Sequence, residues 1–373
     1  MSHTLDDPTD VMVPPRVAGR VEDFLKRRKL EYSVLIENVE DLIEPQATCA
    51  YDITQEEFYT CYHTLDEIDS WIANFAALYP ERVSIVQAST THEGKDIKAI
   101  KISGKNANNP AVVFLGGIHA REWISPATML NIAKKLVENY GVDEDISLSL
   151  ISMIFTLYQF STKMATTSAG LTMWRKNRNP NSGAACVGVD LNRNWNVDFG
   201  GDGANNLKCS EVYHGTGPLS EAETSGLDEW ARALQASSGL HVFIDFHSYG
   251  LYWMWPWGYR TGLPATPDND EQETGAVQAT TALQDVFGTT YKVHNSALMY
   301  AAAGATEDWA YHTAGAKYSY IVELRPESSD VGFLLPDSQI EATGIETFEG
   351  VKALLLYTST DPDPVAKKVD VLP

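Results

Sequence analysis

Nowhere in the 373 residues is there an apolar run long enough to cross a bilayer, so no membrane partner is expected. Basic residues are scarce: 28 Lys and Arg stand against 50 Asp and Glu, a net charge of −22 and a pI near 4.7. This argues against nucleic acid as a partner, because phosphates need a basic surface. The acidity suits a soluble protein that tolerates cationic peptides near its surface, and solubility alone explains it as well. No Asn-x-Ser/Thr acceptor, internal repeat or low-complexity tract occurs. The opening MSHTLDDPTD is polar and acidic, without the basic start and apolar centre of a signal peptide. Cysteine is limited to Cys49, Cys61, Cys186 and Cys209, in a spacing that fits no common zinc pattern. Three pairings are open; the sequence-local pairs Cys49–Cys61 and Cys186–Cys209 are favoured over four free thiols.

What the chain does contain is alternation. Residues 11–43 read as strand, helix, strand and helix fragments (VMVPP, VEDFLKRRKL, YSVLIEN), too few to bury a core alone. From about residue 62 strands and helices alternate. Thr64 and Glu67 form a capping box for LDEIDSWIANFAALYP, and Ser220 and Glu223 form a second for AETSGLDEWARALQ. Ser125-Pro126 supplies an N-cap and a first-turn proline for ATMLNIAKKLVENYG. RVSIVQAS and IKAIKIS alternate as strands; AVVFLGG, ISMIFTLYQF, HVFIDFHS and YSYIVELRP read as strands, and SQIEATGIETFEGVKALLLYTS as a helix. The order predicts an α/β domain with a central sheet, whose site forms at the carboxyl ends of its strands.

Chemistry gathers at those ends. His119 and Glu122 follow AVVFLGG, three residues apart, and both can reach one cation; alone, His-x-x-Glu is more often a surface pair. His247 ends HVFIDFHS, and two imidazoles and a carboxylate at strand ends make a catalytic-type zinc set. Glu323, near the end of YSYIVELRP, is either a general base or a salt-bridge partner of Arg325. MWRKNRNPN and GVDLNRNWN supply arginines and an asparagine able to grip a carboxylate or an oxyanion, or else form a solvated basic turn.

With GIHAREWIS, TMWRKNR, GVDLNRNWN, CSEVYHG, FHSYG, the Tyr300–Trp309 stretch, KYSYIVELRP and GFLLP in this order, the chain resembles the zinc metallocarboxypeptidases of the pancreatic A/B (funnelin) type over about residues 62–357. A weaker likeness to that family's prosegment covers about 11–45. The resemblance implies an α/β fold: a single domain with a central mixed, mostly parallel twisted sheet flanked by helices, plus a short N-terminal prosegment remnant. Its boundaries would be a partial prosegment and linker over 1–50, a linker over 51–61, a catalytic domain over 62–360 and a tail over 361–373. It implies one Zn²⁺ per chain, held by His119, Glu122 and His247, a water activated by zinc with Glu323 as general base, and Arg175 stabilising the oxyanion. Asn192 and Arg193 would grip the substrate's terminal carboxylate, Tyr300 would close over it, and Arg121 and Tyr249 would line secondary subsites. Cys186–Cys209 matches the family disulfide. The implied partners are peptide or protein C-termini and an activating endoprotease; the protein would be a monomer, secreted, with a vacuolar location as the alternative.

Side-chain preference should rest on Glu307, which aligns where B-type enzymes carry aspartate and A-type enzymes an apolar residue; Met254, Gly258, Met299 and Ala305 would line the same pocket. Terminal Lys or Arg is therefore favoured over aromatic and aliphatic residues. One departure stands against full activity: the family's Asn-Pro-Asp-Gly-Tyr turn is replaced over 156–171 by a Ser/Thr/Ala-rich stretch. The alternative reading is an impaired, peptide-binding relative; a metal-dependent deacylase on the same fold ranks lower, because it would not need the Asn192-Arg193 pair.

Overall fold

Alternating apolar residues need a partner layer on each face of a sheet, and the computed structural model, which describes residues 11–39, 52–103, 110–142, 173–363 and 366, supplies both. Strands β1 (Val83–Thr90) and β2 (Asp96–Ile102) form an antiparallel pair. Strands β3 (Ala111–Gly116), β4 (Leu240–Ser248), β5 (Tyr252–Trp255), β6 (Lys292–Asn295) and β7 (Tyr318–Leu324) form a five-stranded sheet ordered β3-β4-β7-β5-β6. Its pairs are parallel except β5–β7, which makes it the expected mixed, mostly parallel sheet. Helices among the described residues are α1 (Ala18–Arg28), α2 (Leu65–Leu78), α3 (Ile124–Glu138), α4 (Ala222–Ser238), α5 (Asn269–Phe287), α6 (Thr306–His312) and α7 (Ile340–Ser359). None is long and apolar enough to cross a membrane.

The period of two sorts the strand side chains into two cores. Phe114, Val242, Ile244, Phe246, Tyr320 and Val322 pack on one face with Trp71, Met129, Ala279 and Val351 from helices α2, α3, α5 and α7. Val113, Leu115 and Phe243 face the other way, onto Leu227 of α4 and the stacked indoles of Trp195 and Trp309. On this second face β4 continues from Phe243 to Asp245 and His247, and β7 runs from Ser319 through Ile321 to Glu323. The face thus turns from apolar to ionisable as the strands reach their carboxyl ends. The Cys186–Cys209 disulfide forms, with Cα atoms 5.1 Å apart; the expected Cys49–Cys61 pair rests on Cys49, which lies outside the described residues, as do ISMIFTLYQF and the altered 156–171 stretch.

Four local expectations need correction. VMVPP and YSVLIEN form no strand: Pro15–Val17 is a turn of 3₁₀ helix leading into α1, and residues 31–38 run without regular structure. A short apolar run becomes a strand only beside a sheet edge, and α1 buries no residue against the rest of the chain. Ser125 is not an N-cap. Helix α3 begins one residue earlier, and the Ser125 hydroxyl instead accepts from Gly117 N and donates to Phe246 O, binding α3 to the ends of β3 and β4. Ser220 does not cap α4 either; Glu221 holds that position, and Ser220 Oγ donates to its carboxylate.

The Thr64 capping box does form: Glu67 N donates to Thr64 Oγ1 at 3.4 Å and Thr64 N to Glu67 Oε2 at 2.7 Å. Replacing Thr64 with Ala is expected to lower stability by about 1 kcal/mol. A denaturant midpoint unchanged from the parent protein would show that tertiary packing alone holds the start of α2.

Candidate metal centre

The loop leaving β3 carries His119 and Glu122 to the end of β4, where His247 waits; all three are buried, and their ligand atoms lie within 4.8 Å of one another. His119 Nδ1 is 2.7 Å from Glu122 Oε1, His247 Nδ1 is 2.9 Å from Glu122 Oε2, and the two Nδ1 atoms are 3.2 Å apart. Two imidazole nitrogens facing one another beside a carboxylate form a donor set that could hold a cation. The opposite nitrogens face acids: His119 Nε2 lies 3.1 Å from Asp190 Oδ1, and His247 Nε2 lies 2.9 Å from Asp245 Oδ2. The second of these is an ionic contact rather than a well-aligned hydrogen bond. Carboxylates behind both rings favour the tautomer with the proton on Nε2 and leave the Nδ1 lone pairs for a metal. Two nitrogens and a carboxylate within 4.8 Å of one another fit a zinc ion, whose bonds to such donors are about 2.0–2.2 Å.

Electrostatics within the cluster are strong. Burial alone would push the Glu122 carboxyl up, but His119 and His247 outweigh it and hold it well below the ordinary range. Burial would lower His247, yet Asp245 and Glu122 outweigh it and raise the imidazole well above an ordinary histidine. Asp190 also is held low despite burial, first by Arg175, whose Nη2 is 2.9 Å from Asp190 Oδ2. Glu323 behaves differently. It pairs in register with His247 across β4 and β7, burial pushes its carboxyl up to about 8, and its buried Oε2 has no partner. Arg325 is not that partner, because its guanidinium binds Glu346.

The remaining expected residues surround this centre. Arg175 is buried, 3.8 Å from Glu122 and clamped by Asp190, so the reading of its segment as a solvated basic turn does not hold. Arg193 is 2% exposed; its Nε donates to Gly203 O and its Nη1 to Asn192 O. Gly203 (φ +76°) and Gly304 (φ +76°) let backbones meet here, since a Cβ on either would strike Ala301 or Arg193 carbonyl groups. The Tyr300 ring sits 5.9 Å from the Arg193 guanidinium. Tyr249 packs edge-on against Phe333, and Arg121 lies 4.2 Å over the same Phe333 ring and 3.5 Å from Glu211. Glu307 is buried in the first turn of α6; its Oε2 is unpaired, and a side chain at Gly258 would collide with its Oε1. Burial raises its carboxyl, and the charges of Arg193 and His247 offset this only in part.

Asp190, Asp245 and Thr306 were not singled out from the sequence. Asp245 had a signal: it stands two residues before His247 in an otherwise apolar strand, and so on the same face. Asp190 lies two residues ahead of Asn192 in GVDLNRNWN, where its side chain accepts from Asn192 N. Thr306 had none.

Comparison with known proteins matches residues 68–350 to a family described as zinc carboxypeptidase and residues 1–46 to the carboxypeptidase activation peptide. The chain is 38% identical over 298 residues to carboxypeptidase B of Astacus astacus, covering 79% of this chain and 96% of that protein. It is 36% identical to carboxypeptidase A1 of Sus scrofa over 364 residues, 95% of this chain and 85% of that one. Among solved structures it is similar to thrombin activatable fibrinolysis inhibitor, with TM-score 0.83 and 30% identity over 93% and 87% of the two chains. It is also similar to carboxypeptidase A from Helicoverpa armigera, with TM-score 0.80 and 27% identity over 94% and 88%.

Asp190→Asn should keep the fold but release zinc more readily, by about 10- to 100-fold in affinity. Competition with a chromogenic chelator reads this directly, and an unaltered affinity would separate Asp190 from the metal's support.

Proposed function

We propose that this chain, which belongs to the zinc carboxypeptidase family and is therefore a metal-dependent hydrolase, removes single residues from peptide C-termini, with Lys and Arg preferred. The observation that carries the reading is the half-buried Glu323, whose buried Oε2 has no hydrogen-bond partner, in register with His247 of the His119-Glu122-His247 cluster. Zinc, held by His119, Glu122 and His247, would polarise the scissile carbonyl and acidify the attacking water. Glu323 accepts that water's proton and delivers it to the leaving amine. Arg175, immobilised by Asp190, directs its charge at the oxyanion that forms on the carbonyl. Asn192 and Arg193 bind the terminal carboxylate, which explains a requirement for a free C-terminus, and Tyr300 covers it from above Arg193. Arg121 and Tyr249, both packed against Phe333, contact residues further along the peptide.

Glu307 sets the preference. Its buried Oε2 has no hydrogen-bond partner among the described residues, and a basic side chain entering beside Gly258 would supply one. The match of residues 1–46 to an activation peptide supports a proenzyme, with a prosegment and linker over 1–50, a linker over 51–61, the catalytic domain over 62–360 and a tail over 361–373, released by an endoprotease. A secreted monomer fits this reading.

Glu323→Gln should cut kcat by about 10²–10⁴-fold while zinc stays bound; activity within a few-fold of the parent would remove Glu323 as the base. Selectivity for Arg over Phe in paired blocked dipeptides should grow as pH rises, because the raised Glu307 carboxyl is neutral below its pKa and attracts a cation only above it. In Glu307→Ala both the preference and its pH dependence should vanish. A preference that persists in the variant places the determinant elsewhere.

A further inference from the structure

We infer that Thr306 is a positioning residue that joins the carboxylate-binding side of the site to the metal side; this rests on the proposed roles of Asn192 and Arg193. Thr306 opens helix α6 and is completely buried. Its backbone N–H donates to Asn192 Oδ1 at 2.8 Å, and its hydroxyl lies 2.7 Å from the same oxygen. The hydroxyl also lies 2.5 Å from Asp245 Oδ2, the oxygen facing His247 Nε2.

A threonine hydroxyl has one proton for these two acceptors. Asn192 Oδ1 already receives the amide N–H, and Asp245 Oδ2 is the nearer acceptor, so the proton goes to Asp245. Asp245 Oδ1 has no partner, which leaves this carboxylate dependent on His247 and Thr306 among the described residues. The hydroxyl therefore fixes the acid that orients a metal-binding imidazole. The neighbouring N–H fixes the Asn192 amide with its oxygen inward, leaving Nδ2 as the donor end for a substrate carboxylate. One residue holds both arms, and a shift of either is felt by the other.

The test uses the full chain with Thr306→Val, which removes the hydroxyl at nearly constant shape, and Thr306→Ser, which restores it. Chelator competition should show zinc bound about 10-fold more weakly in Thr306→Val and near parent affinity in Thr306→Ser. Asn192→Ala should raise KM for an Arg-terminated peptide. It should also weaken zinc about threefold in the parent but not in the Thr306→Val background, a coupling that a purely structural role would not produce. Zinc affinity unchanged in Thr306→Val, or an Asn192→Ala effect on zinc that persists without the hydroxyl, overturns the inference. An unchanged KM in Asn192→Ala refutes the carboxylate-binding role itself, and with it the joining role, whatever the zinc measurements give. Melting of the metal-free variants separates either result from unfolding; if Thr306→Val fails to fold, Thr306→Ala replaces it in the same cycle.

Discussion

A carboxylate taken out of water must meet a cation or a set of donors, and at the carboxyl edge of this sheet Glu122, Asp190 and Asp245 are all buried within reach of two imidazoles and a guanidinium. The cluster cannot be relaxed piece by piece. Asp190 holds Arg175 and His119 and also accepts from the backbone of Asn192. Glu122 bridges both histidines and accepts from Ser248 N. Charge neutrality, more than packing, fixes how the β3 loop, the end of β4 and the Asn192-Arg193 turn approach one another.

Strand register is what allows this. Parallel pairing sets His247 opposite Glu323, and a slip of β4 by one residue would turn His247 into the apolar core occupied by Phe246. The second face of the sheet needs no such protection near its middle, where Val113 and Phe243 pack on α4 and on Trp309. It becomes polar only where strands end and loops can bring Arg175, Arg193 and Tyr249 alongside. Ser125, displaced from the capping role expected of it, fastens this arrangement by tying α3 to Gly117 and to Phe246.

Much of this was legible in the residues. Continuous apolar runs located β3, β4 and β7, and the ionisable residues at their ends located the centre, because period-two patterning and strand ends are local properties. The resemblance then supplied roles for Arg175, Asn192 and Arg193 that composition could not. What escaped was set by distant contact. Asp245 and Thr306 are 61 residues apart and meet only once β4 and α6 have packed. The N-terminal strands were misread for the same reason: VMVPP and YSVLIEN carry β-forming residues, but no sheet edge lies beside them. At Ser220 the capping signature was present, yet Asn194 draws Ser220, Glu221 and Thr224 into its own network and moves the helix start.

Buried acids elsewhere in the chain show why the site differs from the scaffold. Glu346 is neutralised by Arg325, Asp228 by Arg232 and the Trp309 indole N–H, and Asp308 takes the amide of Gly258. Glu221 is bound by Asn177 and Asn179. Each of these acids receives donors from its own chain. Glu323, Glu307 and Asp245 each keep a buried oxygen without one, and in the two glutamates burial raises the carboxyl. Under the proposed function a reacting water would supply a donor to Glu323 and an incoming basic side chain one to Glu307, whereas Asp245 has the Thr306 hydroxyl from its own chain.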